Sequence, residues 1–257
     1  MQEGQLLEVR SISKAFGGVQ ALRDISFTVN RGEIFSVIGP NGAGKTTLFN
    51  LLTGVFTADT GAILFEGIDI TTKKPFEIAR LCIQRTFQNL QIFMNMTVLE
   101  NVMVGCHTRT TSGMLSACLR LPKILREEKA IRKWAYEALE FVGLKDVAEQ
   151  PANILPYGYL KRLEIARSLA ANPKLILLDE PAAGLNDTET LEMRSLIEEI
   201  SKQGITVLLV EHNMSLVMEC SHRILVLVYG ECLTVGTPTE IQKDPRVIAA
   251  YLGDETQ

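Results

Sequence analysis

The apolar positions of this 257-residue chain change their period twice. Short aliphatic and β-branched runs at 6–10, 25–29, 34–38 and 62–65 predict strands, separated by Gly17-Gly18, Arg31-Gly32 and Asp59-Thr60-Gly61. From 97 to 142, and again from 158 to 171, the spacing becomes helical. Across 129–142 it places Ile131, Ala135, Ala138, Leu139 and Val142 on one face. The last third returns to alternation. Residues 175–178, 207–210 and 224–228 are continuous apolar runs of the kind buried in a parallel sheet, and helical stretches at 188–202 and 214–220 separate them. The pattern predicts an α/β core, with a parallel sheet, interrupted by a helical insertion.

Composition narrows the class. A hydrophobic fraction of 46% with 22% charged residues is ordinary for a soluble domain of this length. The longest apolar runs, such as 224–229, fall far short of the roughly 20 residues that span a bilayer. No basic-then-apolar leader precedes Leu6, so no secretory signal is expected. A net charge of −4 gives no electrostatic footprint for nucleic acid. Cys82, Cys106, Cys118, Cys220 and Cys232 are odd in number and scattered, which points to reduced thiols rather than to disulfides or a zinc site. The expectation is a soluble intracellular protein whose membrane role, if it has one, runs through a partner.

The strand at 34–38 leads into Gly39-Pro40-Asn41-Gly42-Ala43-Gly44-Lys45-Thr46, which fits G-x-x-x-x-G-K-[ST] at every fixed position; a helical pattern begins at Thr47. Strand, glycine loop and helix start together make a phosphate cradle, in which loop N–H groups and the helix N-terminus face negative oxygens. In this arrangement Lys45 would reach the β- and γ-phosphates, and the Thr46 hydroxyl would hold Mg²⁺. A second element reinforces the first. The apolar run at 175–178 ends in Asp179-Glu180, which would bring Asp179 to the metal and Glu180 to the water that attacks the γ-phosphate. A phosphate loop and an acid pair at a strand end jointly indicate nucleoside triphosphate hydrolysis.

With Gln88, Gly158 and His212 added in this order and spacing, the chain resembles the ATP-binding-cassette (ABC) ATPases from residue 7 to residue 252. The segments Arg85-Thr86-Phe87-Gln88, Pro181-Ala182-Ala183-Gly184-Leu185-Asn186, Glu211-His212-Asn213-Met214 and Ala250-Tyr251-Leu252-Gly253 look like those of the larger ATP-binding subunit of branched-chain amino acid importers. The resemblance implies an α/β fold with a P-loop NTPase core of mostly parallel sheet, an N-terminal antiparallel β part and an inserted α-helical subdomain: a nucleotide-binding core formed by 1–88 and 167–257, and a helical subdomain, 89–166, that carries the signature motif. It implies ATP and Mg²⁺ as cofactors. The nucleotide would be bound by Phe16, by Gly39 to Thr47 (Gly39, Pro40, Asn41, Gly42, Ala43, Gly44, Lys45, Thr46 and Thr47) and by Gly158. Metal would be held by Thr46, Gln88 and Asp179, with Glu180, His212 and Gln88 catalytic. Phe16 matches the aromatic that stacks on adenine, although strand packing would explain it equally. His107 and His222 match nothing and read as structural or surface residues.

The chain departs from the family pattern in two places. The signature usually reads Leu-Ser-Gly-Gly-Gln; here it is Leu155-Pro156-Tyr157-Gly158-Tyr159. Gly158 keeps a backbone N–H for a γ-phosphate, and proline at the first helical position is tolerated. The serine hydroxyl is lost, and with it a hydrogen bond to a charged oxygen worth roughly 1.5–3 kcal/mol. Asn186 stands where many relatives carry Asp, keeping an acceptor for a contact across the dimer. The defect lies in the site this chain completes for another, which points to a heterodimer with a different ATPase subunit. Integral-membrane permease subunits and, indirectly, a periplasmic or extracellular binding protein complete the implied partners, at the cytoplasmic face of the membrane. The apolar cluster Ile92-Phe93-Met94-Asn95-Met96 reads either as the surface that grips a permease helix or as subdomain core. An export or lipid-extraction ATPase, and a non-transport ABC ATPase, fit the same motifs less well.

Overall fold

The computed structural model describes residues 4–109 and 122–252. They belong to two compact units, Met1–Arg85 with Lys174–Gln257, and Thr86–Pro173.

In the first unit β1 (Gln5–Phe16) and β2 (Val19–Asn30) form an antiparallel hairpin closed at Gly17-Gly18. Strands β4 (Thr60–Phe65) and β5 (Ile68–Asp69) extend it into a four-stranded sheet of order β2-β1-β4-β5. The hairpin is longer than the apolar runs at 6–10 and 25–29 suggest. Register shifts interrupt its alternation: Ser11 sits at positive φ of 48° in the shift between Val9 and Ile12, and Asp24, at the same φ, opposite the shift between Ile12 and Lys14. The second sheet has the order β10-β9-β3-β8-β7-β6. Its members are β3 (Ile34–Ile38), β6 (Ile83–Arg85), β7 (Leu175–Asp179), β8 (Thr206–Val210), β9 (Arg223–Val228) and β10 (Glu231–Gly236). All neighbours in it are parallel except β9 and β10. Every residue of β3, β7 and β8 is buried, as strands covered on both faces must be.

Helix α1 (Lys45–Leu52) lies in the main core. Its Leu48, Phe49, Leu51 and Leu52 cluster with Leu7, Val9 and Phe65 of the first sheet and with Phe35, Leu177 and Leu208 of the second. A smaller cluster joins Ile38, Val217, Ile224, Val226, Ile241 and Val247. The elements over it are α7 (Met214–Cys220), α8 (Pro238–Lys243) and α9 (Pro245–Leu252); α6 (Asp187–Lys202) precedes β8, and the short α2 (Pro75–Arg80) precedes β6. His222 clips a strand start, its Nδ1 accepting the Ile34 N–H at 2.9 Å.

Register decides what this sheet presents. Val37 pairs with Val210 and Val210 with Asp179, so the carboxyl ends of β3, β8 and β7 are level. The residues that follow them, Gly39, Glu211-His212 and Glu180, emerge along one edge. In open α/β sheets that edge is where ligands bind.

The second unit is helical: α3 (Val98–Gly105), α4 (Pro122–Phe141) and α5 (Tyr157–Ala170), with 3₁₀ turns at Cys106–Arg109, Lys145–Val147 and Ala152–Ile154. The signature helix runs unbroken through 166/167 to Ala170, and the units part after Pro173. Cys118, Gly253 and residues 110–121 lie outside the described residues. Cys82, Cys106, Cys220 and Cys232 are free thiols, and burial pushes those of Cys106 and Cys220 up to about 11. Among the described residues no helix is long and apolar enough to cross a membrane.

Candidate active site

The glycine loop between β3 and α1 is built for close backbone approach. A Cβ on Gly39 would overlap the Leu227 carbonyl oxygen, and one on Gly44, at φ +102°, would lie 2.7 Å from the Ala21 oxygen. The loop closes on itself through Ala43 N–H to Pro40 C=O at 3.2 Å and is tied to β10's turn through Gly230 N–H to Ala43 C=O at 3.2 Å. Lys45, only 7% exposed, donates to the carbonyls of Gly39 at 2.6 Å and Pro40 at 3.0 Å. Burial pulls its ammonium below the ordinary lysine range, opposed by the charges of Glu180 and Asp179. Asn41, Gly42 and Thr46 are exposed along the same loop, with Thr47 half-buried.

Asp179 ends β7 with its carboxylate buried against Arg85, Nη2 to Oδ2 at 2.8 Å. Glu180 follows at positive φ of 50°, held there by its N–H bond to Val210 C=O at 2.9 Å. Its Oε1 stands 3.1 Å from Nε2 of His212, the second residue after β8. The loop, Lys45, Thr46, Asp179, Glu180 and His212 therefore share one sheet edge. A glycine loop in which Gly39 and Gly44 admit no side chain, a buried cation, a hydroxyl and a carboxylate fit a nucleotide phosphate with a hard divalent ion. Among the described residues no cluster of three metal-ligating side chains exists.

Phe16 ends β1, 40% exposed, its ring edge-on to Phe56 at a centroid distance of 5.0 Å. Part of the ring is packed and part remains open. Asn186 caps α6, its side chain accepting the Glu189 N–H at 3.0 Å.

Gln88 and Gly158 lie in the second unit. Gln88 is exposed; Gly158 is buried between the exposed rings of Tyr157 and Tyr159. Pro156 is the N-cap of α5 rather than its first residue, at φ −57° and ψ 155°, and makes no side-chain cap. The cluster at 92–96 is not core: Phe93, Met94 and Met96 are 47%, 40% and 36% exposed. Buried Asn101 holds that segment, accepting the Phe93 N–H at 2.9 Å and donating to the carbonyls of Phe93 and Thr97 at 3.0 Å. From α5, Glu164 accepts the Phe87 N–H at 3.1 Å, and Arg167 donates to the Gln91 carbonyl.

Three contributors carried no individual assignment in the sequence. Glu211, 3% exposed, accepts N–H groups from Ala182 at 2.7 Å, His212 at 3.0 Å and Asn213 at 3.3 Å, joining the segment after Glu180 to the histidine. Burial raises its carboxyl above the usual range. Tyr251 in α9 packs on the cluster containing Ile38; burial pushes its phenol up to about 12, opposed by a hydrogen bond from the Gly39 backbone. Arg85 is the third. Only the apolar-to-charged switch at the ends of short strands hinted at any of them.

Fold and site together define an α/β nucleotide-binding cassette of the phosphate-loop type. The ABC transporter family model matches residues 22–183, and that of the branched-chain amino acid ATP-binding cassette transporters matches 231–256. The chain is 42% identical over 250 residues to the high-affinity branched-chain amino acid transport ATP-binding protein BraF of Pseudomonas aeruginosa, covering 97% of this chain and 98% of that one. A solved ATP-binding cassette of an ABC transporter in its ADP conformation superposes with a TM-score of 0.85 at 35% identity, over 97% of this chain and 99% of the other. A dimeric cassette in a post-hydrolysis state with ADP and phosphate superposes at 0.76 with 25% identity, over 91% and 99%. The chain belongs to the ABC transporter family and is a transport ATPase.

Proposed function

We propose that this chain binds and hydrolyses ATP to power import of branched-chain or related amino acids. The observation that carries the reading is the Glu180–His212 pair at 3.1 Å, on the same sheet edge as the Lys45 loop. Lys45 would leave the carbonyls of its own loop for the β- and γ-phosphates. Thr46 and Asp179, with Gln88, would hold Mg²⁺, which when bound neutralises phosphate charge. Glu180 would orient the attacking water and take its proton, while His212 donates to the γ-phosphate and fixes the glutamate. Phe16 would stack on adenine. Gly158 would present its N–H to the nucleotide of a second ATPase subunit.

That subunit, on this reading, is a different chain whose intact signature completes the Lys45 site. The surface at 92–96 would grip a permease on the cytoplasmic face of the membrane, and an external binding protein would deliver the amino acid. The name of the P. aeruginosa relative supports the substrate class. The test is reconstitution in vesicles with permease, second ATPase and binding protein: ATP-dependent leucine uptake is expected. Absence of uptake with an active ATPase would refute the substrate assignment.

A further inference from the structure

Arg85 ends β6 and occupies the space between two parts of the site. Its Nη2 holds Asp179 Oδ2 at 2.8 Å, with the two side chains only 7% and 5% exposed. Its Nη1 reaches Asn50 Oδ1 at 2.7 Å and Thr53 Oγ1 at 3.3 Å, and the guanidinium lies 5.5 Å from the Phe49 ring centroid. Asn50 and Phe49 belong to α1, the helix that opens with Lys45 and Thr46, and Thr53 is its C-cap. One cation therefore ties the strand end bearing the carboxylate to the helix bearing the hydroxyl. A planar fork does this in a single geometry; an ammonium, as a point charge, does not. Groups bonded to metal-holding carboxylates set the orientation of those carboxylates, and therefore metal affinity.

We propose that Arg85 is a positioning residue that fixes the Asp179 carboxylate relative to Thr46, so that the two present a preset pair of oxygens to the magnesium of the nucleotide complex. The inference rests on the assignment of Asp179 made above.

The test is Mg²⁺ titration of the full chain with a fluorescent ATP analogue, alongside the analogue's affinity in EDTA. Arg85→Lys keeps the charge and breaks the fork; it should raise the half-saturating Mg²⁺ about tenfold or more, with affinity in EDTA unchanged. Asn50→Ala removes only the anchor on α1 and should shift the Mg²⁺ requirement in the same direction by less. It also carries the test if Arg85→Lys folds poorly. Asp179→Asn should abolish the Mg²⁺-dependent gain. If Asp179→Asn abolishes it while Arg85→Lys and Asn50→Ala keep the wild-type requirement, the role of Arg85 is refuted and that of Asp179 stands. If Asp179→Asn changes nothing, the assignment of Asp179 itself fails. Equal losses with Mg²⁺ and in EDTA would make Arg85 a purely structural residue and overturn the proposal.

Discussion

His212 Nε2 stands 3.1 Å from Glu180 Oε1, and one strand end governs both residues. Val210 closes β8 two residues before His212, and its carbonyl accepts the Glu180 N–H at 2.9 Å, holding the glutamate at a positive φ of 50°. A non-glycine residue in that region costs on the order of 1–3 kcal/mol, and such strain persists where surrounding structure over-determines it. Glu180→Gln keeps the shape and removes the base. Turnover should fall by about 10²–10⁴-fold while ATP binding persists, and an ATP-bound dimer should accumulate in size-exclusion chromatography. His212→Ala on that background should add little, because the two act as a unit. Unchanged steady-state hydrolysis in Glu180→Gln would remove the assignment.

Lys45 bonds two carbonyls of its own loop, and in the nucleotide complex those bonds would be exchanged for charged oxygens. Hydrogen bonds to charged groups contribute roughly 1.5–3 kcal/mol, so Lys45→Ala should weaken ATP on the order of 10- to 100-fold by calorimetry. Wild-type affinity would contradict the placement of phosphate at this loop.

Glu211 predicts a pH effect of definite sign. Burial holds its folded carboxyl above the ordinary glutamate value of 4.5, so the folded state keeps a proton that the unfolded state has released. The resulting stability is fully present below that value and is lost as pH rises through the folded pKa. Wild type should therefore gain stability over Glu211→Gln as pH falls toward the ordinary carboxylate range in urea denaturation. A gap that does not move with pH would show that burial does not govern this group.

The sequence made the site legible where one residue type at one spacing has one use. The glycines that allow backbone approach, Lys45-Thr46 and the acids after a wholly apolar strand belong to that class. It was mute where a role depends on what tertiary packing brings near. Arg85 and Asp179 are far apart in the chain, and only the parallel pairing of β6 with β7 makes them neighbours. Strands β5 and β6 and helix α2 are too short to show a period. The long hairpin hid behind register shifts that break alternation at Ser11 and Asp24. At 92–96 the apolar content suited either core or surface, and only exposure separates them.

The segment at 92–96 invites a paired comparison. Asn101→Ala takes away the acceptor of the Phe93 N–H and empties a buried position, which should cost about 1–3 kcal/mol and quicken amide exchange at Phe93. Phe93→Ala removes an exposed ring and should change stability by no more than about 0.5 kcal/mol, yet reduce co-purification with the permease. Retained co-purification would move the permease contact elsewhere.

Pro156 separates stability from function. It caps α5 with its carbonyl alone, which receives the N–H groups of Tyr159 at 3.0 Å and Leu160 at 3.1 Å. Serine there would add a side-chain acceptor worth about 1 kcal/mol. Losing proline frees the unfolded chain and costs about 0.4–1 kcal/mol, so the two effects nearly cancel. Pro156→Ser should melt within a few degrees of wild type. Its new hydroxyl, however, would face the γ-phosphate of a second copy, where a charge-assisted hydrogen bond of roughly 1.5–3 kcal/mol is at stake. ATPase activity of the chain alone should therefore rise on the order of tenfold and become cooperative in protein concentration. If turnover stays at the wild-type level, the missing signature serine does not account for the proposed dependence on a different subunit.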